Sequence, residues 1–396
     1  MPLAVGAVRP LPPVAARVDA ALARMDAEVD WLTALSPIHN DALWEAFEES
    51  GRSRVPPFSY AADYDDLSAL RARLLALPVD DIESPLLHGL LSEKQRELDR
   101  QIELVRLRDT DGFVAASLDL FGGAEPRLLR MAREILERVP AGPPPDADAG
   151  LDEMLAAAEA ELAWYRARAP GFRAEIVVED DLNSMLMVSQ GNLHVAAGIR
   201  LPQARVQPLV QHEIGTHVVT RHNGRQQPLR QLESGLADYD PLQEGLAVLA
   251  EYVSGWLPPG RLRILAARVI ATDMAVRGED VPAIFERLHH GHDLPAGDAF
   301  DVAVRARRGG GLTKDAVYLR GLADLLDHLH EGGDIAPLFM GKFALSHLVV
   351  LERLVEEGWA RPPAVLPRWL DTPVAAARLE RCRTLSVVDL HQDTPQ

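Results

Sequence analysis

Cysteine is almost absent from this 396-residue chain; Cys382 is the only one. No disulfide can close within the chain, and a zinc site built from cysteines is excluded. Any metal here has to be held by His, Asp or Glu. Basic residues are scarce as well, 41 against 59 acidic ones, for a net charge of −18. Such a surface disfavours nucleic acid and anionic lipid as partners. No stretch approaches the roughly 18 consecutive apolar residues of a membrane span, so no membrane partner is expected. Residues 1–28 carry no Lys/Arg cluster ahead of a long apolar run. They read as an irregular lead into a helix, not a signal peptide, and the expected location is the cytoplasm. The one run of three glycines, Gly309–Gly311, lacks the Gly-x-x-x-x-Gly-Lys-Ser/Thr form of a nucleotide loop.

What the chain has is helical periodicity. Apolar residues recur at spacings of three and four over 14–35, 66–77, 90–108, 124–138 and 151–168, then again over 205–221, 242–254, 260–276, 313–330 and 336–357. The period changes at 174–181 and 184–199, which read as short strands, and 384–391 reads as one more. The Pro-, Gly- and Asp-rich stretch 139–150 reads as a linker. The expected fold is α+β and predominantly α-helical, with a zinc-metallopeptidase-like core and a small sheet beside the metal-binding helix. The expected division is a helical region over 1–145 and a catalytic domain over 150–396.

The chemistry concentrates in His212-Glu213-Ile214-Gly215-Thr216-His217. Two histidines on one helix face could share a metal, with the glutamate as base. The usual spacing is i, i+4, whereas here it is i, i+5. In a regular α-helix five positions leave the side chains about 140° apart. A π-type bulge restores a common face, and Gly215 tolerates the irregular backbone. The segment 213–217 is therefore predicted to be distorted. Catalytic zinc takes three protein ligands and keeps a position for water. Glu244, opening an apolar helix 27 positions after His217, is the third candidate. Glu251, seven positions further on a similar face, is the second choice, as ligand or as partner to a histidine N–H. With one Zn2+ bound, Glu213 would be the base and His222, Tyr318 and Arg320 the candidate donors to an oxyanion.

At these positions the chain resembles the bacterial proteins named for a Gln-Glu-Gly-Leu-Ala motif and labelled flavohemoglobin expression-modulating, here Gln243–Ala247. That family is related to the microtubule-associated tyrosine carboxypeptidases of animals, zinc enzymes that remove a C-terminal tyrosine from α-tubulin. The resemblance takes in Asn223-Gly224, Gln227-Pro228, Arg308–Asp315, Tyr318–Gly321 and Gly341-Lys342, and extends over about residues 55–370. It implies His212, His217 and Glu244 as ligands and Glu213 as base. It also implies a peptide or protein C-terminus as substrate, without carrying tubulin across.

A carboxypeptidase has to grip a terminal carboxylate, and arginine's fork suits that. Arg305, Arg307 and Arg308 beside the glycine run, followed by Lys314 and Arg320, form the expected clamp. The strand Gly191–Val195, including Asn192, is a candidate edge for pairing with extended substrate. His289, His290 and His292 read as a surface helix end, and Cys382 as inert. An endo- or aminopeptidase with the same metal site, or a metal-binding regulatory or scaffold protein, remain alternatives. The residue preference and oligomeric state are not written in the residues.

Overall fold

Proline and serine set where the long N-terminal helices begin. In this computed structural model, which describes residues 8–38, 41–60, 67–142, 146–180, 182 and 184–393, α1 (Pro13–Asp26) and α2 (Pro85–Arg106) each start on a proline. The missing N–H costs nothing in a first turn. The Ser84 hydroxyl caps α2 by accepting from the Leu87 N–H. Burial follows the three-and-four spacing: Ala15, Val18 and Leu22 on α1, and Leu87, Leu91, Leu98 and Ile102 on α2. Helices α3 (Phe113–Phe121), α4 (Pro126–Arg138) and α5 (Leu151–Arg166) follow. The expected helix over 14–35 stops at Asp26 and resumes only for Trp31–Leu35.

A small ladder pairs β1 (Pro37–Ile38) with β2 (Ser59–Tyr60). The main sheet has three strands, β3 (Ile176–Glu179), β4 (Leu186–Ser189) and β5 (Asn192–Ala196), in the order β3-β5-β4. β5 runs parallel to β3 and antiparallel to β4. Leu193 and Val195 point into the core, as the period of two requires. This corrects one expectation. The strand around Asn192 is central and paired on both sides, so it offers no free edge. The Asn192 side chain accepts from the Glu175 N–H at 3.1 Å.

The chain then enters the long helix that carries the histidines: α6 (Gln203–His212), a π-helical segment Glu213–Val218, and α7 (Val219–Arg225). Helix α8 (Asp240–Val253) packs on it, α11 (Val317–His330) packs on α8, and α9 (Pro259–Val276) packs on α11 and on α10 (Ala296–Arg305). Glycine decides how close α8 and α11 come. A Cβ on Gly245 would sit 2.4 Å from the Gly321 carbonyl, and one on Gly321 would sit 1.7 Å from the Pro241 oxygen. The two backbones touch there, which sets Glu244 and Tyr318 side by side across the crossing.

Two expected elements are replaced. Over 336–357 only Leu348–Glu356 is α-helical; Ala336–Phe339 and Leu345–His347 are 3₁₀ turns. Between them Lys342 donates to the Leu232 carbonyl and accepts from the Leu236 N–H, so its backbone is spent on a tertiary contact. The expected strand 384–391 is a 3₁₀ segment, Val387–Asp393. The regions before and after the expected linker share one apolar cluster. Residues 143–145 of that linker, and the first seven residues of the lead, lie outside the described residues. No described helix is long and apolar enough to cross a membrane.

Candidate metal centre

The five-residue spacing of the histidines is absorbed by the π-helical segment, where Val219 N–H reaches back to Ile214 O, an i→i−5 bond. Widening a turn leaves carbonyls short of partners. The Thr216 hydroxyl donates to Gln211 O at 3.1 Å and the Thr220 hydroxyl to Thr216 O at 2.9 Å. A Cβ on Gly215 would meet the Gln211 side-chain oxygen at 2.5 Å, so a larger residue there would push that amide aside. The result is that the two imidazoles stand edge to face, with ring centres 5.3 Å apart.

Glu244 comes in from α8. Its Oε2 lies 4.0 Å from His212 Nε2 and 4.0 Å from His217 Nε2. That oxygen is buried and has no hydrogen-bond partner. One ligand atom from each of the three residues lies within 4.8 Å of the others. A buried, unpartnered carboxylate oxygen facing two imidazole nitrogens is expensive in an empty fold. The same set of donors, two His nitrogens and one carboxylate oxygen, is what catalytic zinc takes. The residues present therefore fit one such ion.

Behind the ligands the chain is closely tied. His212 Nδ1 donates to Glu251 Oε1 at 2.8 Å, leaving Nε2 free toward Glu244. Arg261 clamps the same carboxylate through two nitrogens, at 2.9 and 3.2 Å. The second-choice glutamate is thus the partner that orients His212. On the other histidine, the Gln243 amide lies against His217 and accepts from the Thr220 hydroxyl at 2.8 Å.

Glu213 is buried, and its nearer oxygen is 3.9 Å from His212 Nε2. Burial, reinforced by the Glu244 and Glu251 charges, lifts its carboxyl to about 7. Burial and neighbouring positive charge hold His217 well below its usual value, hence neutral. Tyr318, on α11, has its ionisation pushed up by burial and then by the Glu244 charge, so its hydroxyl keeps its proton.

Of the other expected site residues, Lys314 stays near Glu244, with its ammonium 3.0 Å from Asp240. The rest are elsewhere or occupied. Arg305 is locked onto both oxygens of buried Asp315, at 2.8 and 2.6 Å. Arg308 is buried and donates to the Gly309 carbonyl. Arg320 donates to the Phe121 and Gly123 carbonyls at the end of α3 and pairs with Glu125. His222 packs its ring on Phe172, 4.9 Å between centres, and burial, then the Arg225 charge, hold it below its usual value. Loop arginines and a nearby histidine looked suitable because sequence does not reveal their partners. Conversely, Arg205, Arg261 and Arg268 gave no sign singly. The signal that would have found them is spacing: Arg205 and His212, Glu244 and Glu251, and Arg261 and Arg268 are each seven apart, on one face of their helices. His289 does end a helix, Val281–His289, and Cys382 is buried.

The family model described as microtubule-associated tyrosine carboxypeptidase matches residues 45–386. The chain belongs to that family. The match spans all three helices that supply the site. The mouse protein named microtubule-associated tyrosine carboxypeptidase 1 is 30% identical over 176 residues, which cover 40% of this chain and 37% of that protein. The human protein of the same name is 29% identical over 174 residues, 40% of this chain and 36% of its own length. The chain thus aligns with little more than a third of the curated relatives it matches.

Proposed function

We propose that this member of the family is a zinc-dependent carboxypeptidase that releases the C-terminal residue of a peptide or protein. The observation that carries the reading is the partnerless Glu244 oxygen, equally distant from two imidazole nitrogens. The family and relatives' names point to the C-terminus, and to tyrosine as the first residue to try there.

When bound, zinc would lower the pKa of a water toward ~7 and polarise the scissile carbonyl. His212, His217 and Glu244 would hold it, and Glu251 would keep His212 in the right tautomer. Glu213 accepts a proton from the attacking water and returns it to the leaving amine. Its carboxyl is buried against His212, and the positive charge of a bound zinc would favour the ionised form that takes the proton. The Tyr318 hydroxyl, kept protonated by burial and by the Glu244 charge, would be the donor to the developing oxyanion.

The test combines metal analysis with mass spectrometry of peptides ending in tyrosine. The purified protein is expected to carry one zinc and to shorten such peptides by one residue. Glu213→Gln should retain the zinc and lose about 10³-fold or more in kcat. Peptides cut internally with their C-termini intact would refute the carboxypeptidase reading, and undiminished activity in Glu213→Gln would remove that residue from the chemistry.

A further inference from the structure

On the helix α9 side of the metal centre two of the clustered guanidiniums are left short of hydrogen-bond partners. Five guanidiniums gather there, those of Arg205, Arg261, Arg268, Arg305 and Arg308; Glu251 and Asp315 lie in ion-pair reach, while Asp298 and Asp301 act on Arg205 and Arg308 from beyond it. Both carboxylates are already taken. Glu251 accepts from Arg261 and His212. Asp315 gives both oxygens to Arg305, leaving Arg268 at 3.8 Å. Among the described residues Arg205 has no ion pair at all. The Nε atoms of Arg205 and Arg268 are buried and lack any hydrogen-bond partner. Burying a guanidinium without a counter-ion is unfavourable, and it is the more unexpected in a chain of net charge −18.

The two unmatched arginines are placed toward the chemistry. Arg205 lies two turns before His212 on the same face of α6. Arg268 lies two turns beyond Arg261 on α9 and sits over the Tyr318 ring, 5.1 Å from its centre. The charges acting most on Arg205 are those of Arg261, Glu251 and Arg268. Neither arginine is sealed off, since both keep part of their surface open to solvent. An anion arriving from outside would complete the set, and a planar carboxylate is the anion that two guanidinium forks match best.

We infer that Arg205 and Arg268 together bind the terminal carboxylate of the substrate chain. This rests on the carboxypeptidase reading above, and it replaces the clamp expected at Arg305, Arg308 and Arg320. It also gives the two partnerless Nε groups a reason: the substrate supplies their acceptor. Lys314 cannot take this role because Asp240 already holds it. The remaining cation near the ligands, Lys342, lies over the Tyr239 ring and offers one ammonium, not a fork.

The test uses the zinc-loaded Glu213→Gln protein as a non-turnover binding partner. Its ligands are two labelled peptides of one sequence, ending in tyrosine with either a free carboxylate or a carboxamide. Fluorescence anisotropy should find the acid bound about 30-fold more tightly than the amide, the scale of a charge-assisted pair. Arg205→Gln and Arg268→Gln, each added to that background, should weaken the acid and leave the amide unchanged. Arg205→Gln removes an unmatched buried charge, so the ligand-free protein should melt no lower than its parent. A purely structural arginine would instead lower the melting temperature and weaken both peptides alike. The inference falls if the parent does not distinguish acid from amide, if the preference survives in both variants, or if only Lys342→Met abolishes it. The two readings fail separately. Loss of acid preference in the variants, with no C-terminal residue released by the wild type, would leave the anion site standing without the carboxypeptidase. Release of that residue with the preference intact in both variants would leave the enzyme without this clamp.

Discussion

Two buried charge clusters lie on either side of the N-terminus of helix α8, and they are built on opposite plans. In the first, on the seam between the N-terminal helices and the rest, Lys94 sits 2.8 Å from Glu97 and 3.6 Å from Asp26. The other Glu97 oxygen accepts from the Asp238 N–H at 2.9 Å. Every formal charge there has a partner inside the chain. In the second, the Glu244 oxygen between the two histidines has none, and the Nε atoms of two arginines nearby lack hydrogen-bond partners. Both clusters lie mostly out of water, with Lys94 and Glu97 at 1% and 8% side-chain exposure and Glu244 and Arg268 at 15% and 13%, so burial alone does not separate them. A cluster that closes on itself holds the fold together. One that is left open is incomplete until something binds, and the fold carries the cost of keeping it open.

The sharpest way to break this comparison is to remove one partner from each cluster. Lys94→Met leaves two buried carboxylates unmatched and should destabilise the protein by about 3–5 kcal/mol. Zinc affinity should be untouched where the protein stays folded. Glu244→Gln should behave the other way round. It removes an unpartnered charge, so the metal-free protein should unfold at the same urea concentration as the wild type or higher, while zinc binding is lost. Urea titrations of both variants, with and without added zinc, decide the matter. A Glu244→Gln variant as unstable as Lys94→Met would mean that the open cluster is structural after all.

The same contrast marks what could be read from the residues. Helix existence was legible because burial on one face imposes a period, and it did so for α1, α2, α4, α5, α8 and α9. The distortion at 213–217 was legible because five α-helical positions cannot converge, and the fold offers a π segment there. Glu251 was already a candidate through its seven-residue spacing from Glu244. The three arginines beside the glycine run look available in the sequence, but the fold gives each of them a partner. Asp315, ten positions after Arg305, had already claimed one of them, and carbonyls at the end of α3 had claimed Arg320. Whether a charge is matched is a property of three-dimensional neighbours, and no periodicity reports it. The tail differs for a related reason: Val387, Val388 and Leu390 are buried, yet among the described residues no strand pairs with them.

The seam also contains a group that blurs its tidy accounting. Asp19 is buried, and its oxygens accept from the Arg230 and Gln231 N–H groups at 2.9 and 3.1 Å. Burial outweighs those bonds and lifts its carboxyl to about 6. An acid whose folded value is raised binds its proton more tightly folded than unfolded. Its contribution is therefore most favourable below pH ~4 and declines as pH rises to about 6, by up to about 3 kcal/mol. Comparing wild type with Asp19→Asn cancels the carboxylates that titrate the other way, such as Asp315. The wild type should gain stability relative to the variant between pH 7 and pH 4.5 in urea titrations. A difference independent of pH would place Asp19 with the fully matched charges.

The smallest expected effect concerns the histidine that lacks a carboxylate behind it. His212 is oriented by Glu251, but His217 has only the Gln243 amide, whose nitrogen is buried without a partner in its present orientation. Rotated by 180°, that amide would accept from His217 Nδ1–H through its oxygen and donate to the Thr220 hydroxyl through its nitrogen. Thr220 would still donate to the Thr216 carbonyl. Every polar atom in the set is then satisfied, and His217 Nε2 is left as the lone-pair nitrogen facing Glu244. Gln243→Leu keeps the volume and removes this support, so zinc affinity should fall by about tenfold, the lower end of what losing such a partner costs. Competition against a chelating dye measures it directly, without relying on turnover. Gln243→Glu, which can accept but not donate, should restore most of the loss through the His217 bond alone. If Gln243→Leu binds zinc as tightly as the wild type, the two histidines are held by different means, His212 by its carboxylate and His217 by packing in the π turn.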